Sequence, residues 1–433
     1  MSTSEGPTLR EATKVWFRVG LIGFGGPAGQ IAILHQEVVA ERRWVSEDRF
    51  LHALNFCTLL PGPEAQQLAT YLGWLLHGTR GALIAGSLFV LPGVAILLGL
   101  SALYATVGTV GAVAALFAGL KPAVLAIVVD ALRRIGGRAL KGRGHWAIAG
   151  AAFVALFAFG VPFPIVVLVA GLIGWRMPSG AQLPVAETTQ APSWARTIWV
   201  LGAGSIVWWA PIALVAAVLG SSHLFVTLGV FFSKAAVVTF GGAYSVLAYV
   251  SQEAVSRYGW LSAPEMLDGL ALAETTPGPL ILVLQFVGFL AGYRLGAPVT
   301  GLLGGLMGSL TTMWATFVPS ILLVLIGAPF VERLRQHRAL SGALSAITAA
   351  VVGVIANLAV WFAMHVVFGR VDRIEAGPLH LSVPVWSTVD PFGVVLAVGA
   401  MIAMLRFRVG MVAVLAAAAG VGLLRWLLLD PGR

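Results

Sequence analysis

Residues 24–63 read FGGPAGQIAILHQEVVAERRWVSEDRFLHALNFCTLLPGP, and a related stretch, residues 240–279, reads FGGAYSVLAYVSQEAVSRYGWLSAPEMLDGLALAETTPGP. The two stretches lie 216 positions apart, and 14 of their 40 aligned columns are identical without a gap. The identities include Phe-Gly-Gly, Gln-Glu, a Trp and the closing Pro-Gly-Pro, which a merely apolar composition would not place in register. Self-similarity at one fixed offset indicates an internal duplication.

The composition is that of a polytopic membrane protein. Of the 433 residues, 58% are hydrophobic and only 10% are charged, with a mean hydropathy of +0.91, whereas soluble domains carry about 25% charged residues. Basic residues in cytoplasmic loops explain the net charge of +9, so no nucleic-acid partner is predicted. The single cysteine, Cys57, excludes an intramolecular disulfide and a Cys-rich metal site. Residues 1–14 lack a signal-peptide cleavage pattern, so the first apolar segment is predicted to stay as a membrane helix.

Thirteen apolar segments are predicted to span the membrane, since a spanning helix needs about 20 apolar residues. They lie near residues 15–34, 50–77, 82–107, 109–130, 145–159, 161–175, 196–219, 223–250, 266–292, 299–327, 342–368, 389–405 and 408–429. The fold class is therefore an all-α polytopic membrane protein built from two repeats of about six helices. The predicted division is an N-terminal repeat at 10–176, a linker with an extra helix at 177–222, and a C-terminal repeat at 223–430.

The Lys and Arg counts orient the chain. If thirteen helices alternate, the basic loops after the fourth, tenth and twelfth helices and around the central linker share one side, which is then the cytoplasm. The loop that carries Arg42, Arg43 and Arg49 conflicts with this orientation. The extra linker helix makes the second repeat enter the membrane from the opposite side. Inverted-topology repeats place a substrate site near the midplane, although channels and structural membrane proteins can be duplicated too.

Both repeats carry a Pro-Gly-Pro that should break a membrane helix, at Pro61-Gly62-Pro63 and Pro277-Gly278-Pro279. Proline blocks continuation of a helix, and such a break is tolerated only against protein or a water-filled cavity. The free amides of a helix that starts after the break favour an anion. The alternative is a kink needed only for packing. Close helix packing is likewise the alternative role of Gly25-Gly26 and Gly241-Gly242.

Two cations precede the glycine pairs at matched positions. Arg18 lies seven residues before Gly25, and Lys234 lies seven residues before Gly241. Seven residues make about two helical turns, so each cation shares a helix face with its glycine pair. Each is either a functional intramembrane charge or a side chain that snorkels to the interface, and both interpretations stay open.

The side chains after the two breaks differ between the repeats. Glu64, Gln66 and Gln67 follow the first break, whereas apolar residues follow the second, which Glu274 precedes. The predicted site is thus symmetric mainly in its backbone. Glu64 either complements the dipole of its helix or, beside a bound dianion, serves as a proton carrier, with Glu274 as a second candidate. We find no metal-ligand spacing, nucleotide-binding loop or nucleophile elbow, so no cofactor, metal, catalytic residue or ATP-driven transport is predicted.

Together these motifs resemble the chromate ion transporter family in its long, two-domain form. The motifs are Phe-Gly-Gly-Pro with a following Gln-Glu, Pro-Gly-Pro-Glu-Ala-Gln-Gln-Leu, and Thr-Thr-Pro-Gly-Pro, and the resemblance covers residues 10–430. The family residues correspond to Phe24, Gly25, Gly26, Pro27, Gln36, Glu37, Pro61, Gly62, Pro63, Glu64, Gln66, Gln67, Phe240, Gly241, Gly242, Gln252, Glu253, Pro277, Gly278 and Pro279.

The resemblance implies a multi-pass protein of the bacterial inner membrane that exports chromate, a tetrahedral dianion similar to sulfate, and confers chromate resistance. The partners expected are chromate or a related oxyanion and the lipid bilayer, and a homodimer is left open. Transport of another oxyanion such as sulfate is one alternative. A membrane-embedded enzyme or a channel without alternating access is the alternative from a different class.

The thirteen-helix parity predicts that the two chain ends lie on opposite sides of the membrane. We expect a tag on residues 1–10 to be reached only from the cytoplasm and a tag after residue 433 only from outside. Protease protection of tagged spheroplasts and inverted vesicles measures this. Both tags on one side would contradict the inverted repeats but not the duplication.

Overall fold

The protein, analysed as a computed structural model, is helical over most of its length. The structure describes residues 6–24, 26–108, 110–177, 194–240, 242–330 and 338–429. The helices of the first half are α1 (Leu9–Ile22), α2 (Gly26–His35), α3 (Glu47–Cys57), α4 (Glu64–Val107), α5 (Gly111–Ala139), α6 (Arg143–Phe157) and α7 (Phe163–Trp175). Those that follow are α8 (Trp194–Leu219), α9 (Leu224–Val238), α10 (Ala243–Gln252), α11 (Ala263–Thr275), α12 (Val283–Leu295), α13 (Gly301–Gly327), α14 (Arg338–Val367), α15 (Pro391–Leu405) and α16 (Met411–Leu429). Non-helical backbone at His77 and Gly78 divides α4 into two helical parts.

Several of these helices are long and apolar enough to cross a membrane. In the described part of the chain six meet both conditions, namely α4, α5, α8, α13 with its extension to Phe330, α14 and α16. The shorter apolar helices are α7, α9, residues Leu280–Leu295 and α15. About 20 apolar residues cross the hydrocarbon core, so the chain is a multi-pass membrane protein. The count of thirteen spans stays a prediction.

Four predicted segments are interrupted helices. The segment expected at 15–34 is α1 and α2, and its counterpart at 223–250 is α9 and α10. The segment expected at 50–77 is α3 followed, after the first Pro-Gly-Pro, by the start of α4, and the one at 266–292 is α11 and α12. Two of the interruptions lie at the Pro-Gly-Pro motifs, where the sequence predicts a helix break. The hydropathy segments run through all four interruptions because hydropathy does not register that glycine and proline can end a helix.

The duplication is visible in the order of elements. Each repeat runs helix, break, helix, π-helical turn, helix, break, helix, and the π-helical turns fall on the Gln-Glu motifs, at Gln36–Glu41 and Glu253–Arg257. After each turn the motif Trp donates its backbone N–H to a carbonyl six residues earlier, Trp44 to Val38 at 2.8 Å and Trp260 to Ala254 at 2.9 Å. Matched sequence therefore produces matched local structure.

A small hairpin departs from the helical pattern. Strands β1 (Val371–Ala376) and β2 (Leu379–Pro384) pair antiparallel between α14 and α15. Gly377 sits in the turn with a φ of +60°, which glycine adopts without a steric cost. In β2, residues 379–383 alternate apolar and polar side chains, which is the strand period. The hairpin lies in a connection that the hydropathy analysis left unassigned.

The chain folds into two compact units. The first consists of Met1–Gly99, Ser179–Val246 and Thr276–Ser341, and it holds all four helix breaks. The second consists of Leu100–Pro178, Leu247–Thr275 and Gly342–Arg433. In the second unit α5 packs against α15 and α16. Each unit takes segments from both halves of the sequence, and the repeat boundaries at 10–176, 177–222 and 223–430 stay a prediction.

In the first unit, α12 and α13 pack through paired glycines. Gly288 and Gly292 on α12 face Gly304 and Gly308 on α13 so closely that a Cβ on Gly308 would overlap the Gly288 carbonyl oxygen. Small residues four apart let helix backbones approach in membranes. The glycine spacing is thus a packing device here.

We expect Gly308→Ala to destabilise the protein by about 1–3 kcal/mol, because the added methyl group has no space. Gly99→Ala is the matched control, since a Cβ at Gly99 in α4 would meet nothing within 4 Å and alanine favours a helix. The measurement is the midpoint of thermal unfolding in detergent. Equal midpoints for the two variants would contradict this packing.

Candidate functional site

The candidate site is formed by the helix breaks of the first unit. In the first repeat α1 ends at Ile22 and α2 begins at Gly26, and α3 ends at Cys57 before α4 begins at Glu64. In the second repeat the corresponding breaks follow Val238 and Thr275. A helix start leaves backbone N–H groups without intrahelical partners. Each break therefore supplies donors inside the protein.

The breaks of the two repeats are joined by crossed backbone hydrogen bonds. The Gly62 N–H donates to the Thr239 carbonyl at 3.0 Å, and the Gly278 N–H donates to the Gly23 carbonyl at 2.9 Å. The 216-residue offset that relates Gly62 to Gly278 also relates Gly23 to Thr239. The two bonds are therefore equivalent under exchange of the repeats, which is the mark of a two-fold relation.

Proline makes each crossed bond the sole backbone donation of its motif. Pro61, Pro63, Pro277 and Pro279 have no N–H, so the middle glycine carries the one amide of each Pro-Gly-Pro. Buried backbone N–H groups are nearly always paired. Here the partner lies in the other repeat, which explains how a fully buried break is tolerated.

The middle glycines are required by their conformation. Gly62 has a φ of +122° and Gly278 a φ of +109°, a region that side chains other than glycine's rarely adopt. A Cβ at Gly62 would also lie 2.9 Å from Nε2 of Gln67, and one at Gly278 would lie 2.7 Å from Cδ1 of Leu282. The backbone angle therefore strains any larger residue, and a Cβ would also require the Gln67 or Leu282 side chain to move.

Buried glutamines hold the breaks in place. Nε2 of Gln30, on α2, donates to the Gly23 carbonyl at 3.1 Å and also to the Gly278 carbonyl. Nε2 of Gln67 donates to the Pro61 carbonyl at 2.7 Å. Both glutamines have no exposed surface. Gln30 thus ties the first-repeat break to the second Pro-Gly-Pro.

Gln66 offers a buried donor that the described residues do not use. Its Oε1 accepts from the Ser320 hydroxyl of α13 at 2.8 Å, which fixes the amide so that Nε2 is the remaining group. Nε2 has no hydrogen-bond partner among the described residues, and the side chain is fully buried. Oε1 of Gln30 and of Gln67 are likewise buried without a partner there. Unpaired buried polar atoms are uncommon in folded proteins, so these atoms mark a place where a polar ligand or water would bind.

The predicted acidic residues fall in different units. Glu64 lies in the first turn of α4 and is half-buried. A Cβ added to Gly242 would lie 3.6 Å from its Oε1, so the carboxylate faces the Phe-Gly-Gly break of the second repeat. Glu274 is buried on α11, in the second unit. The proton-carrier role of either residue stays a prediction.

The two predicted cations are exposed. Arg18 is on α1, with 60% of its side chain exposed and Nε 3.6 Å from Oε1 of Glu37, which also pairs with Arg42. Lys234 is exposed on α9. Gly25 and Gly241 lie outside the described residues. Their neighbours Gly26 and Gly242 begin or immediately precede α2 and α10.

Sequence reasoning missed four contributors to the site. Gln30, Thr239 and Ser320 provide contacts to the breaks, and Gly93 on α4 leaves no space for a side chain beside the Pro277 carbonyl. Gln30 stands alone among apolar residues of its segment, a signal that would have identified it. The other three carry no such signal. The described residues contain no group of three or more His, Cys, Asp or Glu that could hold a metal ion.

Comparisons with known proteins agree with the repeat structure. The chain matches the family described as chromate transporter over residues 10–175 and 226–423. It is similar to a chromate transport protein of Pseudomonas aeruginosa, at 34% identity over 84% of this chain and 82% of that one. It is also similar to a probable chromate transport protein of Synechococcus elongatus, at 28% identity over 82% and 84% of the two chains. No solved structure matches the chain significantly.

A shorter relative matches about one repeat. An uncharacterized transporter of Bacillus subtilis is 32% identical over 148 residues, which cover 34% of this chain and 75% of that protein. The relative is therefore less than half as long as this chain. A protein of that length is consistent with the duplication of residues 24–63 at 240–279.

We expect Gln30→Leu to destabilise the protein by about 1–3 kcal/mol, because the Gly278 carbonyl would lose its buried donor. Gln36→Leu is the control, since Gln36 is exposed and bonds only locally to Glu41. Urea or thermal unfolding of the purified variants measures the difference. A Gln30 variant as stable as the control would show that this contact does not hold the two breaks together.

Proposed function

The chain belongs to the chromate transporter family, and on that premise we propose that it is a secondary transporter that exports chromate across the bacterial inner membrane and thereby confers chromate resistance. The substrate is chromate itself or a closely related tetrahedral oxyanion. No ATP-binding motif was found in the sequence, so the driving force is an ion gradient or the membrane potential.

The observation that carries this proposal is the unpaired Nε2 of Gln66 beside the helix breaks. A tetrahedral dianion presents oxygen acceptors on every side and needs donors. Helix starts that follow breaks provide backbone donors and a positive dipole end. Gln66 adds a side-chain donor that is already oriented by Ser320. Donor groups of this kind bind an oxyanion without a metal or a permanent countercharge.

The repeats support a mechanism of alternating access. Crossed hydrogen bonds join the breaks of the two repeats, and in many transporters inverted repeats meet at the substrate site. We propose that the repeats are inverted and that one rocks against the other around the breaks. Arg18 and Lys234 would then attract the dianion toward the site without holding it there, since both side chains are exposed.

The membrane potential can supply the energy that export of the dianion requires. Moving one charge through 100 mV corresponds to about 2.3 kcal/mol, so an exported dianion gains about 4.6 kcal/mol from an interior-negative potential. A thousandfold concentration gradient opposes export by about 4.1 kcal/mol. The potential therefore slightly exceeds the cost of such a gradient without any coupled ion, and a coupled proton would add to the driving force.

We expect Gln66→Leu to weaken chromate transport about 10–150-fold, because a hydrogen bond to a charged group contributes about 1.5–3 kcal/mol. Gln36→Leu, which changes an exposed glutamine, should transport normally. Uptake of labelled chromate into inverted vesicles, with sulfate as competitor, measures both affinity and selectivity.

Two results would count against the proposal in different ways. Normal affinity in the Gln66 variant would remove the helix-break site. Sulfate that competes as well as unlabelled chromate would assign the chain to another oxyanion.

A further inference from the structure

The second unit contains an ion pair between a buried carboxylate and a half-buried lysine, and the proposed anion site does not use it. Oδ2 of Asp268, on α11, lies 3.4 Å from Nζ of Lys121 on α5 and accepts a hydrogen bond from the Tyr104 hydroxyl at 2.8 Å. Asp268 is 4% exposed. The three groups come from three helices, of which α4 and α5 are consecutive and α11 is distant in sequence.

Lys121 lies too deep for its charge to be explained by the membrane surface. It is ten residues from the start of α5, about 15 Å along a helix that rises 1.5 Å per residue. α5 is one of the helices apolar and long enough to span the membrane. Ionisable residues inside a membrane are costly and in most cases functional. Arg18 and Lys234, by contrast, are exposed.

Only one of the two carboxylate oxygens of Asp268 has a polar partner among the described residues. Both contacts reach Oδ2, whereas Oδ1 is buried and accepts no hydrogen bond from any described residue. A carboxylate that served only as a structural counter-ion would be expected to have both oxygens paired, since buried polar atoms rarely lack a partner. The unpaired Oδ1 leaves one oxygen of the acid available to carry a proton.

The charges around Asp268 are few. α5 contributes Lys121, the end of α4 contributes Tyr104, and α11 itself contributes Glu265, which caps Ser262 one turn earlier. On α16, which also packs against α11, the ionisable side chain is Arg425, and it lies over the Phe392 ring. Asp130, farther along α5, pairs with Arg133 and Arg134. Lys121 is thus the direct countercharge of Asp268.

One helix of this cluster ends close in sequence to the second Pro-Gly-Pro. α11 ends at Thr275, two residues before Pro277. The chain turns at the non-helical residues His77 and Gly78, so the part of α4 that carries Tyr104 is a separate helix from the part that begins at Glu64.

We propose that Asp268 is the binding site of a proton that enters the cell in exchange for the exported oxyanion, an inference that rests on the proposed function. In the step, the Asp268 carboxylate takes up one proton and becomes a neutral acid, while Lys121 keeps its own proton and no other bond changes. Neutralisation removes the attraction between α11 and α5. Release of the proton on the cytoplasmic side restores the ion pair.

The test is chromate uptake by inverted vesicles that contain the full-length chain, with membrane potential and pH gradient clamped separately. For wild type, a lumen one pH unit more acidic than the bath should raise steady-state accumulation up to about tenfold per exchanged proton. In Asp268→Asn the same gradient should leave accumulation unchanged, while uptake driven by the potential persists. Asp130→Asn, the matched control on α5, should respond as wild type does.

A second variant distinguishes loss of the proton site from misfolding. Asp268→Asn leaves the half-buried Lys121 without its counter-ion, which can destabilise the fold, so the double variant Asp268→Asn with Lys121→Gln removes both charges. It should also ignore the pH gradient. A full response to the pH gradient in either variant would overturn the inference.

The wild type separates this inference from the proposed function. Uptake that responds to the potential but not to the pH gradient would overturn the proton site alone. No chromate uptake under either gradient would overturn the proposed function and the proton site with it.

Discussion

The centre of this protein depends on two backbone hydrogen bonds, one donated by each repeat to the other. Each Pro-Gly-Pro ends a helix inside the protein, and its one amide would be left unpaired if the other repeat did not supply a carbonyl. A buried amide without a partner costs about 1–3 kcal/mol. The break in one repeat is therefore stable only in the presence of the other.

The same few groups stabilise the helix breaks and form the candidate site. The glycines at positive φ shape the breaks, Gln30 and Gln67 hold their carbonyls, and Gln66 is left with a donor facing the interior. The residues that stabilise the breaks thus also contribute the polar groups of the candidate site. Asp268 and Lys121 form a separate ionic centre in the second unit.

The sequence allowed the fold class, the duplication and the chromate transporter family to be predicted, because the motifs are specific and the helices are apolar. It also indicated the Pro-Gly-Pro positions, since proline acts locally. The crossed pairing with Gly23 and Thr239 was not predictable, because any backbone carbonyl can accept a hydrogen bond. Ser320 and Gly93 were missed for a similar reason. Their roles depend on which helices pack against each other, and the neighbouring sequence does not indicate this packing.

The single amide in each Pro-Gly-Pro makes the two breaks unusually simple to observe. Each motif carries one exchangeable backbone hydrogen, on Gly62 or on Gly278, and that hydrogen is covered by the opposite repeat. Deuterium can replace it only when the crossed pair separates. The hydrogen-exchange rates of these two glycine amides therefore measure how often each break opens. The ratio of the two rates shows whether both repeats open together or in turn.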